Sequence, residues 1–332
     1  AAPVEVQWWH AMTGALNERV NEMVDKYNKS QDKVKVVATF KGSYPETINQ
    51  TVAAFRAGKQ PQIVQVFEVG TQTMMMSGAI YPVYQLMDDT AHKVDWSKFV
   101  QPVLSYYVSA DNKLLSMPFN SSTPIFYYNL DHFREAGLKG PPQTCDQVGA
   151  YMKKLKAAGK ECAYTTSWQS WVHVENYSAL QQVAFATEAN GFKSLKAELT
   201  FNNPQVVKNI ARIQGWAKDK SFQYFGRTNE AAAPFYNGKC SMLTESSAGY
   251  ANVTKNAKFE WSATTLPTES GAKNTNGIIG GATLWVLKGH SKESYAAVAD
   301  FLNFVASTDN QVWWHQITGY VPITLSAYEK SK

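Results

Sequence analysis

A strand-like pattern and a helix-like pattern alternate three times over the first 76 residues, which restricts the fold more than any other feature of this sequence. Apolar residues alternate in segment 4–8, segments 33–40 and 62–67 are strand-like, the latter typical of a buried strand, and apolar residues recur at helical spacing in the segments that follow. Such alternation is typical of a mostly parallel sheet flanked by helices. Because 332 residues exceed what one hydrophobic core usually holds, we predict two α/β lobes built in this way.

Polar and aromatic residues follow the predicted strands of the first lobe. Trp9 and His10 end the first strand, Tyr44 follows the turn after the second, and Glu68 closes the third. Ligands of such sheets bind beyond the carboxyl ends of the strands, so we predict a binding site there. A carboxylate at Glu68 suits the hydroxyls of a ligand, and it equally suits the first turn of a helix.

The stretch PFNSSTPIFYY, residues 118–128, joins a polar segment to an aromatic strand-like run. We predict a polar turn over residues 120–123, at the point where the chain first crosses between the two lobes. Ser121 and Ser122 would there offer hydroxyl and N–H groups to a small polar ligand.

The segment AYTTSWQSW, residues 163–171, sets two tryptophans three positions apart among polar residues. Trp168 and Trp171 can pack against the C–H faces of a small polyol. Two core tryptophans at helical spacing are the ordinary alternative.

Small residues also stand near two later strand-like segments. Ser246 and Ser247 follow segment 240–243, and the pair Gly280 and Gly281 precedes segment 283–287. Backbone N–H groups of such residues can form a nest for an anion, although each motif is by itself compatible with a turn. The glycine pair lacks the Gly-Lys-Ser/Thr ending of a P-loop.

No enzyme motif accompanies these residues, and we predict a binding protein without catalytic activity, cofactor or metal site. The serines lack the Gly-x-Ser-x-Gly elbow, and the histidines lack the spacing of zinc proteases. Glu68 and Glu175 could form a glycosidase pair, so a hydrolase of glycosides or phosphodiesters is the alternative from a different class.

Charge and hydropathy argue against two kinds of partner. The net charge is +5, but Lys and Arg are scattered and form no nucleic-acid-binding stripe. No apolar run is long enough to span a bilayer. The start Ala1-Ala2-Pro3 matches a mature end left by signal-peptide cleavage, and equally a trimmed chain. We expect a monomer that binds no nucleic acid.

Three cysteines leave two arrangements open. Cys145, Cys162 and Cys240 are compatible with one disulfide and a free thiol, or with three reduced thiols. No Cys-x-x-Cys or Cys/His spacing suggests a zinc site.

Sequence blocks from the first strand to residue 325 resemble the extracellular solute-binding proteins of ATP-binding-cassette importers, a group that includes maltose-binding protein. The signature YYNLD-x-F-x-x-AGL at 127–138, followed by PP-x-T at 141–144, carries the general resemblance. The blocks that resemble the glycerol-3-phosphate-binding branch are WH, KGSY, AAFRAG, QVFEVGT, PFNSSTP, SWQSW, FYNGKC, IIGGATLWV and WWHQITGYVPIT.

The resemblance implies a set of ligand contacts. They are Tyr44, Glu68, Ser122, Trp168, Trp171, Ser246, Gly281 and Tyr320, with Trp9, His10 and Ser121 as further candidates. Glu68 would take the glycerol hydroxyls. The groups that would converge on the phosphate are Ser122, Ser246, the N–H of Gly281, and Tyr320.

The resemblance also implies a disulfide between Cys162 and Cys240, which fits an oxidising periplasm. Two departures from the family are visible. Cys145 stands where the family has Trp, so we expect it to be unpaired. The family's further C-terminal segment carries an arginine that pairs with the phosphate, and this sequence does not include that segment.

The implied fold is a two-lobe periplasmic binding protein of type II, with the ligand cleft between the lobes. We assign residues 1–122 and 278–319 to the N-terminal lobe, and residues 123–277 and 320–332 to the C-terminal lobe. The implied function is to capture sn-glycerol-3-phosphate, or a glycerophosphodiester such as glycerophosphocholine, in the periplasm and to deliver it to an inner-membrane permease. A neutral sugar or polyol is the alternative ligand.

Overall fold

The computed structural model describes residues 1–272 and 276–332, which form two compact units. The first unit comprises Ala1–Ser122 and Gly280–Lys332, and the second comprises Thr123–Ile279. Residues 273–275, which we assigned to the C-terminal lobe, lie outside the described residues.

The assignment of residues 320–332 to the C-terminal lobe is wrong, because they belong to the first unit. Val321 N–H donates to the Ser121 carbonyl at 2.8 Å, and Val100 N–H donates to the Ile323 carbonyl at 2.8 Å. These bonds attach the end of the chain to the first unit. Residues 278 and 279 fall in the second unit rather than the first.

Strands and helices alternate over much of the chain. The strands are β1 (Val4–His10), β2 (Val34–Phe40), β3 (Ile63–Phe67), β4 (Ile80–Tyr81), β5 (Met117–Ser122), β6 (Pro124–Asn129), β7 (Cys162–Thr166), β8 (Cys240–Ser246), β9 (Trp261–Thr264) and β10 (Gly280–Leu287). The α-helices of the first unit are Ala15–Ser30, Tyr44–Arg56, Thr71–Met76, Val83–Asp89, Gln101–Leu104, Lys292–Val305, Thr308–Thr318 and Leu325–Lys330. Those of the second unit are Leu130–Glu135, Cys145–Ala157, Tyr177–Leu180, Pro204–Lys218, Ala232–Tyr236 and Gly249–Asn256. Thr187–Asn190 is a turn with left-handed residues, and Trp171–Asn176 is a π-helix.

The sheet of the first unit is mostly parallel in direction, as predicted, because five of its six strands run the same way and β10 alone opposes them. β2, β1 and β3 are parallel neighbours, as the alternation of strands and helices predicts. β10 then pairs antiparallel with β3 on one side and with β4 and β5 on the other. A strand that returns from a distant part of the sequence is not bound by the βαβ rule, because no short crossover helix fixes its direction.

The predicted polar turn at residues 120–123 is also wrong in part. Asn120, Ser121 and Ser122 are the last residues of β5, where they pair with β10, and β6 begins at Pro124. All three residues are buried. Their side chains are therefore held by a sheet rather than by a loop.

The second unit has a smaller mixed sheet in the order β7-β8-β6-β9. β7 and β8 are parallel, while β6 is antiparallel to both of its neighbours. Its core is aromatic, with Phe126, Phe133, Tyr164 and Phe222 packed against the helix Cys145–Ala157.

Side-chain caps define where two helices of the second unit begin. Thr144 and Gln147 form a capping box at the start of the helix Cys145–Ala157. Asn129 caps the helix Leu130–Glu135, because its side-chain oxygen accepts from His132 N–H.

The implied disulfide is confirmed. Cys162 and Cys240 occupy paired positions at the start of the parallel strands β7 and β8, with 4.5 Å between their Cα atoms, and their sulfur atoms are bonded. Cys145 carries a free thiol, and burial raises its pKa to about 11.

We predict that Cys162→Ala together with Cys240→Ala lowers the free energy of unfolding by about 4 kcal/mol, since the bond closes a long loop in the unfolded chain. Chemical unfolding followed by circular dichroism measures this change. Cys145→Ala is the matched control and should shift stability by less than about 1 kcal/mol. Equal stability of the double variant and the wild type would contradict the prediction.

Candidate functional site

One edge of the first sheet collects the ends of several strands. β1 and β3 are parallel, so their carboxyl ends lie at the same edge. Because β10 is antiparallel to both β3 and β5, its amino end and the carboxyl end of β5 lie there too. Residues far apart in sequence therefore meet at this edge, which we call the strand-end edge.

Glu68 is held at the strand-end edge by backbone contacts. It directly follows β3 and opens a short 3-10 helix. Its Oε2 accepts a hydrogen bond from Gly281 N–H at 3.1 Å, and its carbonyl accepts from Tyr106 Oη at 3.0 Å. The N–H group of Gly281, expected to face a phosphate, donates to Glu68 in this structure.

Gly281 occupies a position that only glycine fits. Its φ is +118°, and a Cβ atom added to it would lie 1.9 Å from the Asn120 carbonyl oxygen. This close approach lets β10 pair with β5 up to the strand-end edge, and thereby brings the Gly281 N–H to Glu68.

Two phenols come together in the first unit. Tyr44 opens the helix that Ser43 caps, and its ring stacks on Phe67 at a centroid distance of 5.1 Å. Tyr320 is buried and stacks on Trp314 at 5.7 Å. Burial raises the pKa of Tyr44, and the nearby Tyr320 hydroxyl and Glu68 raise it further. Tyr44, Tyr320, Glu68 and Gly281 are thus close neighbours.

The further candidates at the strand-end edge differ in exposure. Trp9 is half-buried and lies under the Lys41 ammonium, 4.2 Å from the ring centroid. His10 is fully buried, and burial lowers its pKa to about 4, so it is neutral at pH 7. The hydroxyl of Ser121 is buried and has no hydrogen-bond partner among the described residues, whereas Ser122 pairs with Gly280 in the sheet.

The tryptophan segment of the second unit has an unusual backbone. Trp168 is half-buried and left-handed, with φ of +49°, and its N–H donates to the Thr228 carbonyl at 2.9 Å. A π-helix begins at Trp171, whose buried indole N–H has no partner in the described part of the chain. Positive φ at a bulky residue costs roughly 1–3 kcal/mol, and π-helical turns often occur at functional sites.

Ser246 ends β8, where its hydroxyl accepts from Ala248 N–H at 3.0 Å and closes a turn. Its own N–H donates to Glu245 Oε1 at 2.8 Å. Glu245 is buried, and burial raises its pKa to about 7. Hydrogen bonds from Ser167, Ser246 and Trp168 favour its charged form and therefore lower the pKa, but burial is the larger effect. The structure therefore brings Trp168 and Ser246 together around a buried carboxyl group.

Sequence reasoning missed two ionisable residues beside the candidates. Glu245 stands directly before Ser246 at the end of an apolar strand, and a carboxyl group in that position is a recognisable signal. Lys41 brings a positive charge next to Trp9, and only the pairing of β1 with β2 shows this.

The described residues offer neither a membrane span nor a metal site. In residues 1–272 and 276–332, no helix has the length and apolar character needed to cross a bilayer. Over the same residues, no three His, Cys, Asp or Glu side chains are grouped so as to hold a metal ion.

The class of protein follows from comparison with known families. The model of the family described as bacterial extracellular solute-binding protein matches residues 22–332. The chain belongs to this family.

Curated relatives extend the comparison to particular proteins. The chain is 45% identical to the sn-glycerol-3-phosphate-binding periplasmic protein UgpB of Pectobacterium atrosepticum, over 99% of this chain and 75% of the relative. It is 44% identical to UgpB of Escherichia coli strain K12, over 100% of this chain and 77% of the relative.

Solved structures show the same fold. UgpB from Mycobacterium tuberculosis in complex with glycerophosphocholine has a TM-score of 0.85 at 22% identity, over 100% of this chain and 84% of that one. Maltose-bound MalE3 of T. maritima has a TM-score of 0.82 at 17% identity, over 99% of this chain and 84% of that one. The predicted two-lobe type II fold is confirmed, and in each sheet one strand, β10 or β6, runs against the others.

We predict that Gly281→Ala lowers the free energy of unfolding by at least about 3 kcal/mol, because the new methyl group would meet the Asn120 carbonyl and φ would be strained. Gly58→Ala is the matched control, since Gly58 has φ of +68° but open space at its Cβ. It should cost only about 1 kcal/mol. Similar urea midpoints for the two variants would contradict the close approach.

We predict that Glu245→Gln stabilises the protein at pH 8 and not at pH 4.5. The folded-state pKa of about 7 lies above the usual 4.5, so the unfolded state loses a proton first and stability falls as pH rises between these values. Removing the ionisable group should add about 3 kcal/mol at pH 8. Thermal unfolding at both pH values tests this, with exposed Glu260→Gln as the control. A gain that is equal at both pH values would refute the assignment.

Proposed function

We propose that this protein is the substrate-binding component of an ATP-binding-cassette importer, which captures sn-glycerol-3-phosphate in the periplasm and delivers it to a membrane permease. The observation that carries the proposal is the 44–45% identity to sn-glycerol-3-phosphate-binding periplasmic proteins over the full chain. The protein does no chemistry on its ligand in this function. The scattered basic residues support the absence of a nucleic-acid partner, and we propose that the protein works as a monomer.

Residues of both units supply the proposed ligand contacts. In the first unit, Glu68 accepts hydrogen bonds from the glycerol hydroxyls, held in place by the N–H of Gly281. The hydroxyls proposed to donate to the phosphate from this unit are those of Tyr44, Ser122 and Tyr320. A carboxylate for hydroxyls and phenols for an anion match the two ends of glycerol-3-phosphate.

The second unit contributes apolar walls and one hydroxyl. Trp168 and Trp171 pack on the C–H faces of the glycerol backbone, and the strained backbone at Trp168 supports a functional role for its side chain. Ser246 donates to the phosphate. A glycerophosphodiester presents the same groups and needs only additional room beyond the phosphate.

We predict that Glu68→Ala and Trp168→Ala each weaken binding of sn-glycerol-3-phosphate at least about tenfold, through loss of hydrogen bonds to the carboxylate and of ring contacts. Isothermal titration calorimetry measures the affinities, with glycerophosphocholine titrated in parallel. Glu293→Ala, at an exposed position, and Trp96→Ala, which packs on Phe99, are the controls and should bind like the wild type.

Three outcomes would contradict the proposal. Wild-type affinity in both site variants would remove the site, and binding of a neutral polyol in preference to the phosphate would favour a sugar-binding protein. Recovery of a hydrolysed ligand after long incubation would identify an enzyme. Competition by inorganic phosphate and weaker binding at high salt are expected for an anion site.

A further inference from the structure

Buried polar groups form an unbroken chain of hydrogen bonds inside the first unit. Ala11 N–H donates to Gln65 Oε1 at 2.8 Å, and Gln65 Nε2 donates to Asn120 Oδ1 at 2.9 Å. Asn120 Nδ2 then donates to the hydroxyl oxygen of Tyr44 at 2.9 Å. Gln65 and Asn120 are both fully buried, so the protein and not water decides their partners. We call this chain the amide relay.

The direction of the amide relay is fixed by its first member. A backbone N–H can only donate, so the Gln65 atom that faces Ala11 must be the carbonyl oxygen. The other end of that amide must then be NH₂, which requires the oxygen of Asn120 to face it. The NH₂ of Asn120 is left for Tyr44. Neither amide can be turned over without breaking a buried hydrogen bond.

This direction determines what Tyr44 can offer. Its oxygen accepts from Asn120, so its own O–H is the donor in the hydrogen bond that it makes with the neighbouring Tyr320 hydroxyl, and this donor can turn to a stronger acceptor. Burial raises the pKa of Tyr44, and the phenol therefore keeps its proton at working pH. The hydroxyl of Tyr320, the neighbouring phenol, donates to the sulfur of Met12 at 3.7 Å. This hydrogen bond is weak, because a thioether is a weak acceptor. A phosphate oxygen is a much stronger acceptor for either phenol.

We propose that Gln65 and Asn120 are positioning residues that favour an anionic ligand by fixing Tyr44 as a hydrogen-bond donor. The inference rests on the proposed function, in which Tyr44 contacts the phosphate. Neither amide touches the ligand. They act through Tyr44: Asn120 donates to its oxygen, and Gln65 fixes Asn120 in that orientation. The Tyr44 O–H therefore stays a donor, which can turn from the Tyr320 hydroxyl to a phosphate oxygen.

Asn120→Asp tests the relay with almost no change in shape. The ionised carboxylate that this substitution introduces cannot donate to Tyr44, so the Tyr44 O–H turns toward the carboxylate and away from the ligand. At pH 8 we expect at least about tenfold weaker binding of sn-glycerol-3-phosphate than in the wild type. At pH 5 the buried carboxyl group is protonated and can donate again, so the affinity should return to within about threefold of the wild type.

Gln65→Glu tests the same idea one residue further from Tyr44. The new carboxylate accepts from Ala11 but cannot donate to Asn120, so the Asn120 amide turns over and presents its oxygen to Tyr44. The expected loss at pH 8 and recovery at pH 5 have the same sign as for Asn120→Asp. This variant keeps the inference testable if the first does not fold.

Asn310→Asp is the matched control. Asn310 is buried in the same unit, and its Nδ2 donates to the Val305 carbonyl at 2.9 Å without joining the amide relay. It should bind sn-glycerol-3-phosphate like the wild type at both pH values.

Calorimetric affinities are compared as the ratio of variant to wild type at each pH, which cancels the titration of the phosphate itself. Glu68 and Tyr320, which interact electrostatically with Tyr44, are present in every variant. His10 has a pKa of about 4 and stays neutral from pH 5 to pH 8. A ratio that recovers at low pH in both relay variants is the expected result.

The outcomes separate this inference from the proposed function. A wild type that does not bind sn-glycerol-3-phosphate contradicts the proposed function. A wild type that binds, with relay variants that bind equally well at pH 8, overturns the relay alone. A deficit that is independent of pH, or that Asn310→Asp shares, also overturns it, because such a deficit indicates only structural damage.

Discussion

The antiparallel entry of β10 into the first sheet is the constraint on which the candidate site of that unit depends. β10 lies more than 200 positions after β3 in the sequence, yet the Gly281 N–H reaches the Glu68 carboxylate. This contact requires β10 to approach β5 so closely that no side chain fits at Gly281. Sheet pairing, rather than a flexible loop, thus sets the position of the carboxylate.

Hydrogen-bond direction is a second property that the buried interior of this unit controls. A neutral phenol can donate or accept, so by itself it distinguishes poorly between a hydroxyl and an anion. The amides of Gln65 and Asn120 remove this freedom because a backbone N–H at Ala11 fixes their orientation. In the second unit, local rules are broken at the corresponding candidates, with a left-handed Trp168 and a π-helix from Trp171. Such violations are expected where function outweighs local preference.

Sequence patterns predicted the elements more reliably than their pairing. The parallel strands β1 to β3 and the Thr144 cap follow from periodicity and from capping chemistry, which act over a few residues. The polar segment 120–122 misled the prediction because hydroxyl and amide side chains favour turns, whereas here a neighbouring strand satisfies their backbone. The assignment of residues 320–332 failed for a similar reason, since Val321 pairs with Ser121 across a long separation in the chain.

The sequence by itself determined the family and the α/β character, because these are carried by local motifs that stand in order along the chain. It did not determine that Gly281 holds Glu68, that Glu245 lies buried beside Ser246, or that two amides orient Tyr44. Each of these contacts depends on burial or on long-range strand register. Such properties exist only once distant segments pack together, and the tertiary structure alone decided them.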